Sequence, residues 1–179
     1  MNYFESRNEI YFAKIRPSAV IPSKKLEDAG YDMYADFDEK FLVIKPGQTK
    51  PVPTGIAIAF SEKYYAQIEE RSSMAKLGIK KSGGVFDSGY RGEYFIMTYN
   101  TNDKPFIISS LPIDELPNQF EFDGDIYNKE EVILYPKTKA ICQVVLQEVP
   151  VMEEKEVSYE TLLKIPSLRG TGAFGHSGK

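Results

Sequence analysis

The chain has 179 residues, 42% hydrophobic and 27% charged, with a net charge of −4 and a pI near 5.2. One Cys, one His and no Trp exclude an internal disulfide and a four-ligand zinc centre, and leave a Ser-His-Asp or Cys-His enzyme only one His to use. The acidic balance argues against a nucleic-acid groove, and no run nears the ~18 apolar residues of a membrane span. The polar opening, Met1 to Arg7, carries no apolar leader pattern. The expectation is one domain in a reduced, cytoplasmic setting, with chemistry resting on carboxylates, hydroxyls, Arg and Lys and a hard metal ion.

In chain order, the apolar segment 10–15 predicts a strand stopped by Pro17. A strand at 41–44 ends at the turn pair Pro46-Gly47. Strands at 56–60 and 64–69 follow, parted by polar Ser61-Glu62-Lys63. Residues 73–77 predict a short helix ended by Gly78. Strands at 94–99, 131–135 and 140–149 complete the pattern, and 159–165 before Pro166 predicts a second helix. Short strands cut by Pro and Gly, with no βαβ alternation, predict an all-β antiparallel sandwich or barrel.

Two stretches stand apart. Residues 103–134 hold eight acidic side chains against Lys104 and Lys129, so the rest of the chain is net positive and tolerates an anionic ligand. The tail from Arg169 to Lys179 is Gly-rich, and its composition predicts flexibility. Its Gly170-Thr171-Gly172-Ala173-Phe174-Gly175 matches a dinucleotide fingerprint but lacks the strand before and helix after that such a site needs. Asp123-Gly124-Asp125 lacks calcium-loop spacing and reads as a turn.

Four distant segments have the composition of a phosphate site. Asp28-Ala29-Gly30-Tyr31-Asp32 sets two carboxylates beside a Gly; alone, it reads as a charged loop. Arg71-Ser72-Ser73 opens the first helix, as an anion site or as a capped helix with a surface Arg. The glycine-bracketed run 83–92 puts Asp87 and Tyr90 three apart on a tight backbone, or is an ordinary turn with Tyr90 in the core. The tail offers Arg169 and Phe174.

In this order, and with Ile141-Cys142-Gln143-Val144-Val145 as a further segment, these stretches resemble the five motifs of the trimeric dUTP diphosphatase (dUTPase) family. The motifs lie at 28–35, 71–78, 84–92, 141–145 and 169–175. The resemblance implies a jelly-roll-like β-sandwich over 1–149 with an insertion at about 103–134, a linker at 150–168 and a C-terminal lid at 169–179. It also implies a homotrimer whose active sites are shared between subunits, and cleavage of dUTP to dUMP and pyrophosphate with Mg²⁺. Asp87 would activate the water that attacks the α-phosphate, and Asp32 would hold the metal through water. Arg71, Ser72, Ser73, Gln143 and Arg169 would bind the triphosphate. Tyr90 would lie against the deoxyribose, and the main chain around Gly84, Val85 and Tyr94 would read uracil. Phe174 would stack on the base as the lid closes, with Gly175, His176 and Ser177 beside it.

Some positions depart from the family pattern. Thr138, Lys139 and Ala140 stand where the fourth motif begins Gly, acidic, Arg, and Ala173 replaces a common Gly. The related dCTP deaminases carry a catalytic Glu seven residues past the third-motif aromatic; Met97 stands there. Extra segments like 103–134 resemble those of some phage dUTPases. This one reads either as a partner-binding or accessory β element, which would make the chain a regulator on a dUTPase fold, or as an ornamental insertion. Cys142 reads as a small core residue. His176 reads as a γ-phosphate contact or as a solvated tail residue.

Overall fold

Strand β1 (Ile10–Lys14) pairs antiparallel with β5 (Ile56–Phe60), in which Ile56, Ile58 and Phe60 are buried and Ala57 and Ala59 are not. That period of two is what a half-buried strand requires. The computed structural model describes residues 9–172, and the chain divides into two units, 1–149 and 150–179.

The first unit is a set of small sheets. One has the order β2 (Tyr31–Met33), β14 (Cys142–Glu148), β6 (Tyr64–Glu70), β8 (Val85–Phe86). Another runs β4 (Thr49–Val52), β9 (Ile96–Asn100), β7 (Ile79–Lys81). A third runs β13 (Ile133–Pro136), β10 (Phe106–Ser109), β3 (Phe41–Ile44). The main core includes Met33, Ile44, Ile58, Ile68, Tyr94, Phe106, Ile108 and Val144.

The acidic stretch is ordered and builds a second core. All four residues of β3 are buried: Leu42 and Ile44 face the main core, while Phe41 and Val43 pack with Ile107, Leu116, Phe120 and Tyr127. A strand covered on both faces is apolar throughout. Phe120 and Tyr127 come from the hairpin β11 (Gln119–Phe122) and β12 (Asp125–Asn128). Its turn is Asp123-Gly124, both at positive φ (54° and 78°), as a tight hairpin demands. One expectation is corrected: β10 and β13 run parallel. A parallel pair cannot close through a hairpin, and the chain from 110 to 132 is the crossover that it needs. The excursion therefore leaves after β10, a strand that antiparallel pairing with β3 fixes in the main sheet.

Helix α1 (Ser72–Lys76) follows β6 directly, and Gly78 at φ +68° turns the chain into β7. In the second unit, α2 (Tyr159–Leu163) is capped by Ser158, whose Oγ accepts from the Thr161 N–H at 3.2 Å. Among the described residues, no helix is long and apolar enough to cross a membrane.

Candidate active site

The sheet β2-β14-β6 places Gln143 opposite both Asp32 and Glu69. Just past the end of β6 stands Arg71, in extended conformation as the N-cap of α1. Among the described residues no side chain caps this helix, so the hydroxyls and leading N–H groups of Ser72 and Ser73 are not spent on a cap. That removes the capped-helix alternative. Asp28, Ala29, Gly30, Asp32, Arg71, Ser72, Ser73 and Gln143 line one polar cleft of about 330 Å³. Residues 115 apart in sequence thereby share one surface.

Arg71 Nη1 lies 3.2 Å from Asp32 Oδ2, both about one-third exposed. Gly30 is buried against Gln143: a Cβ there would stand 2.8 Å from Gln143 Oε1. The Asp28 carboxylate accepts from the Lys25 N–H at 2.9 Å, which closes the turn that delivers Gly30. Buried Tyr135 borders this cleft. Its hydroxyl donates to Ala140 O at 2.7 Å; burial raises its pKa, against which Ser73 and the positive Arg71 act. The sequence names Asp28 only as one of two carboxylates in the first segment, without a role, and gives no sign of Tyr135.

The third segment forms a different cleft, of about 240 Å³, lined by Ile68, Gly83, Gly84, Val85, Phe86, Phe95, Ile96 and Met97. It shares no lining residue with the first. Gly84 O accepts from the Ile68 N–H at 2.7 Å, and a Cβ on Gly84 would stand 3.1 Å from Ile68 O. A side chain there would push the hairpin off β6. Asp87 follows β8 and is exposed, its carbonyl accepting from the Tyr90 N–H at 3.1 Å. Tyr90 is 41% exposed, and its hydroxyl donates to Glu93 O at 2.9 Å.

Tyr94 is not placed as expected. Its N–H donates to Ile56 O at 2.9 Å and its carbonyl accepts from Thr54 Oγ1 at 2.7 Å, so its main chain is committed. Its ring is fully buried and stacks on Phe86 at 4.1 Å, and burial pushes its hydroxyl up to about 12. Tyr94 supports the hairpin from beneath, and Phe95 and Met97, which the sequence reading did not assign to substrate, line the cleft instead.

Cys142 is buried, and desolvation drives its thiol far above the ordinary range, as suits a core residue. Arg169 lies in the second unit, where its Nε donates to Gly172 O at 2.7 Å. Phe174, Gly175, His176 and Ser177 lie outside the described residues. Among the described residues, no group of three or more His, Cys, Asp or Glu is placed to hold a metal by itself.

The dUTPase family model matches residues 16–111. The deoxyuridine 5'-triphosphate nucleotidohydrolase of Leptospira interrogans (serovar copenhageni) is 38% identical over 104 residues, covering 56% of this chain and 71% of that one. The Staphylococcus bacteriophage 80alpha dUTPase with dUPNHPP superposes with a TM-score of 0.71 at 22% identity, over 97% of this chain and 100% of that one. A mutant dUTPase from phage phi11 of S. aureus, described with a structural Mg(II) ion, gives 0.62 at 20% identity, over 86% and 99%. At 97% coverage, the 80alpha likeness extends the common fold past residue 111, where the family-model match ends, into the acidic excursion. On the family model and the Leptospira relative together, the chain belongs to the dUTPase family and is a dUTP diphosphatase.

Proposed function

We propose that this chain cleaves dUTP by attack of an Asp87-activated water on the α-phosphate, with the triphosphate in the polar cleft and the nucleoside against the third-segment hairpin. The observation that carries the reading is the convergence of Asp32, Arg71, Ser72, Ser73 and Gln143 on one cleft. A guanidinium, two hydroxyls, unspent helix N–H groups and an amide supply donors to phosphate oxygens, and pyrophosphate leaves with its charge matched. Arg169 clamps the far phosphate, and Phe174, Gly175, His176 and Ser177 close over the nucleotide. Gly84 and Val85, with Phe95 to Met97, read the uracil edge; Tyr90 excludes a 2′-hydroxyl. A cytoplasmic setting fits the lone buried thiol.

The donor set fits Mg²⁺: Asp32 and Asp28 are hard, accessible carboxylates in the phosphate cleft, too few to cage an ion alone but suited to one that keeps its waters. When bound, the ion would neutralise phosphate oxygens; Asp32 would orient its water shell. Pyrophosphate release from dUTP, dCTP, dTTP and UTP, with and without Mg²⁺, tests the whole reading. Undiminished release by Asp87→Asn would sink the mechanism.

Two clefts without a common residue support a homotrimer in which one subunit supplies the phosphate cleft and another the hairpin. Mixing Asp87→Asn chains with impaired Gln143→Ala chains after unfolding then restores full turnover at about a quarter of the sites, since each site draws the two residues from different subunits. No recovery in reassembled mixtures would refute the sharing. A second reading, a partner-binding role for the excursion, draws on the groove beside β12, where Ile126 is 66% exposed next to the Lys45–Asp125 ion pair. Full activity in Ile126→Glu with any partner lost would support it; an unaltered partner would refute it.

A further inference from the structure

We propose that Arg16 and Glu93 form a positioning device for deoxyribose selection, acting through the Tyr90 ring. The inference rests on the reading of Tyr90 as the sugar contact. Arg16 follows β1 and lines neither cleft. Its guanidinium grips Glu93 with both arms, Nη2 to Oε1 at 2.5 Å and Nη1 to Oε2 at 3.0 Å. The same group reaches Asp36 with Nε to Oδ2 at 2.8 Å and Nη2 to the main-chain O at 2.9 Å. Glu93 Oε1 also accepts from the N–H groups of Gly55 (2.7 Å) and Thr54 (3.1 Å). Asp36, only 2% exposed, is held further by Ser18 Oγ at 3.1 Å and Lys137 Nζ at 3.2 Å. The Glu93 side chain is therefore fixed to the β1 and β5 ends of the sandwich by a bidentate, charge-assisted grip.

The main chain of that fixed residue braces the ring. The Tyr90 hydroxyl donates to Glu93 O at 2.9 Å. Gly92 lies beneath the ring, and a Cβ there would collide with the Tyr90 hydroxyl and stand 2.6 Å from Cζ. Phe86 and Tyr94 flank the ring at centroid distances of 6.0 and 5.8 Å. With 41% of its surface open, Tyr90 draws only part of its stiffness from packing. A ring that rejects a 2′-hydroxyl must resist being displaced by one oxygen atom, and misplacement of ~1 Å is enough to spoil such a contact. The chain Arg16, Glu93 side chain, Glu93 carbonyl, Tyr90 hydroxyl supplies that resistance.

The test measures kcat and KM for dUTP and UTP, with thermal unfolding alongside, in Arg16→Met, Arg16→Lys, Glu93→Gln, Tyr90→Phe and the Arg16→Met/Tyr90→Phe double variant. Below the melting temperature, Arg16→Met should lower the dUTP-over-UTP ratio of kcat/KM roughly tenfold, and the double variant should lose no more than the worse single one. Arg16→Lys keeps the charge without the fork and should recover stability more than selectivity. If Arg16→Met does not fold, Glu93→Gln carries the same expectation. A folded Arg16→Met with an unchanged ratio, or additive losses, would overturn the inference. Tyr90→Ala separates the two layers. An unchanged ratio there overturns the sugar reading and the inference with it. A lowered ratio beside an unchanged Arg16→Met overturns the inference alone.

Discussion

Gly30→Ala should cripple phosphate binding without touching a ligand group. The added methyl would meet Gln143 Oε1 at 2.8 Å, Gln143 Cβ at 3.0 Å and Val145 Cγ2 at 3.0 Å. Apolar carbon contacts settle at ~3.5–4.0 Å, so something must move by about 0.5 Å or more. Gln143 and Val145 sit on β14, held on both sides by β2 and β6, so their main chain gives little. The Gln143 amide swings first, away from the cleft. An amide donor to a charged phosphate contributes about 1.5–3 kcal/mol, which corresponds to a loss of roughly tenfold to a hundredfold in kcat/KM. Overpacking costs stability as well, about 1–3 kcal/mol, offset by about 0.4–1 kcal/mol from a stiffer unfolded chain. The assay is initial rates on dUTP for Gly30→Ala, Gln143→Ala and the double variant. The double should equal Gln143→Ala, because both changes remove one contact. Wild-type kcat/KM in Gly30→Ala, or additive losses, would refute the reasoning.

Asp32→Asn removes a one-third exposed partner of Arg71, so stability should change by no more than ~1 kcal/mol, while the Mg²⁺ concentration for half-maximal rate rises roughly tenfold or more; an unchanged metal titration would refute the role of Asp32. Tyr94→Phe deletes a buried hydroxyl with no hydrogen-bond partner among the described residues; stability should hold or rise by up to ~1 kcal/mol with activity retained, and a collapse of kcat would reinstate Tyr94 as a substrate contact. Acid should weaken the fold at the Arg16 network. Glu93 is held below the ordinary carboxylate range, chiefly by Arg16; at Asp36 burial pushes upward but Arg16, Ser18 and Lys137 outweigh it. Depressed carboxylates stabilise the fold above their ordinary values, and that contribution drains away as pH falls from about 4 downward. Melting curves against pH should fall more steeply for wild type than for Glu93→Gln, and parallel curves would refute the linkage.

The strands easiest to read were those whose pattern is local. Residues 56–60 alternate and form β5 at those positions, and 41–44 form β3. The unbroken apolar run Phe41-Leu42-Val43-Ile44 signals cover on both faces, but nothing in it says which segment supplies the second cover, so the second core was not legible. The β11–β12 hairpin carried a usable signal: Gln119-Phe120-Glu121-Phe122 alternates, and Asp123-Gly124 is a strong hairpin turn. Reading that stretch by its net charge masked it. Tyr94 was placed at the start of a strand by its apolar neighbours, yet its N–H is taken by Ile56 and the strand begins at Ile96. In the site, residue types were legible and partnerships were not. The register that sets Gln143 opposite Asp32, and the Arg16 grip on residues 20 and 77 positions away, depend on chain reversals that no spacing encodes.

The excursion is not uniformly separable from the catalytic frame. Its hairpin reaches the sandwich through Phe120 and Tyr127 on Phe41 and Val43, and none of these four lines either cleft. Its return strand β13 is different. Tyr135 is buried in the main core, donates to Ala140 and meets Ser73 at the polar cleft, and two residues on, just past the strand, Lys137 joins Asp36 in the Arg16 network. Ala140 stands where the family pattern has Arg, and the Tyr135 hydroxyl occupies its carbonyl. Variation in the hairpin should therefore leave turnover alone, whereas changes at Tyr135 and Lys137 reach both the helix at the proposed phosphate cleft and the ion-pair network around Arg16. The strand that receives the insertion, rather than the hairpin inside it, joins this region to the candidate site.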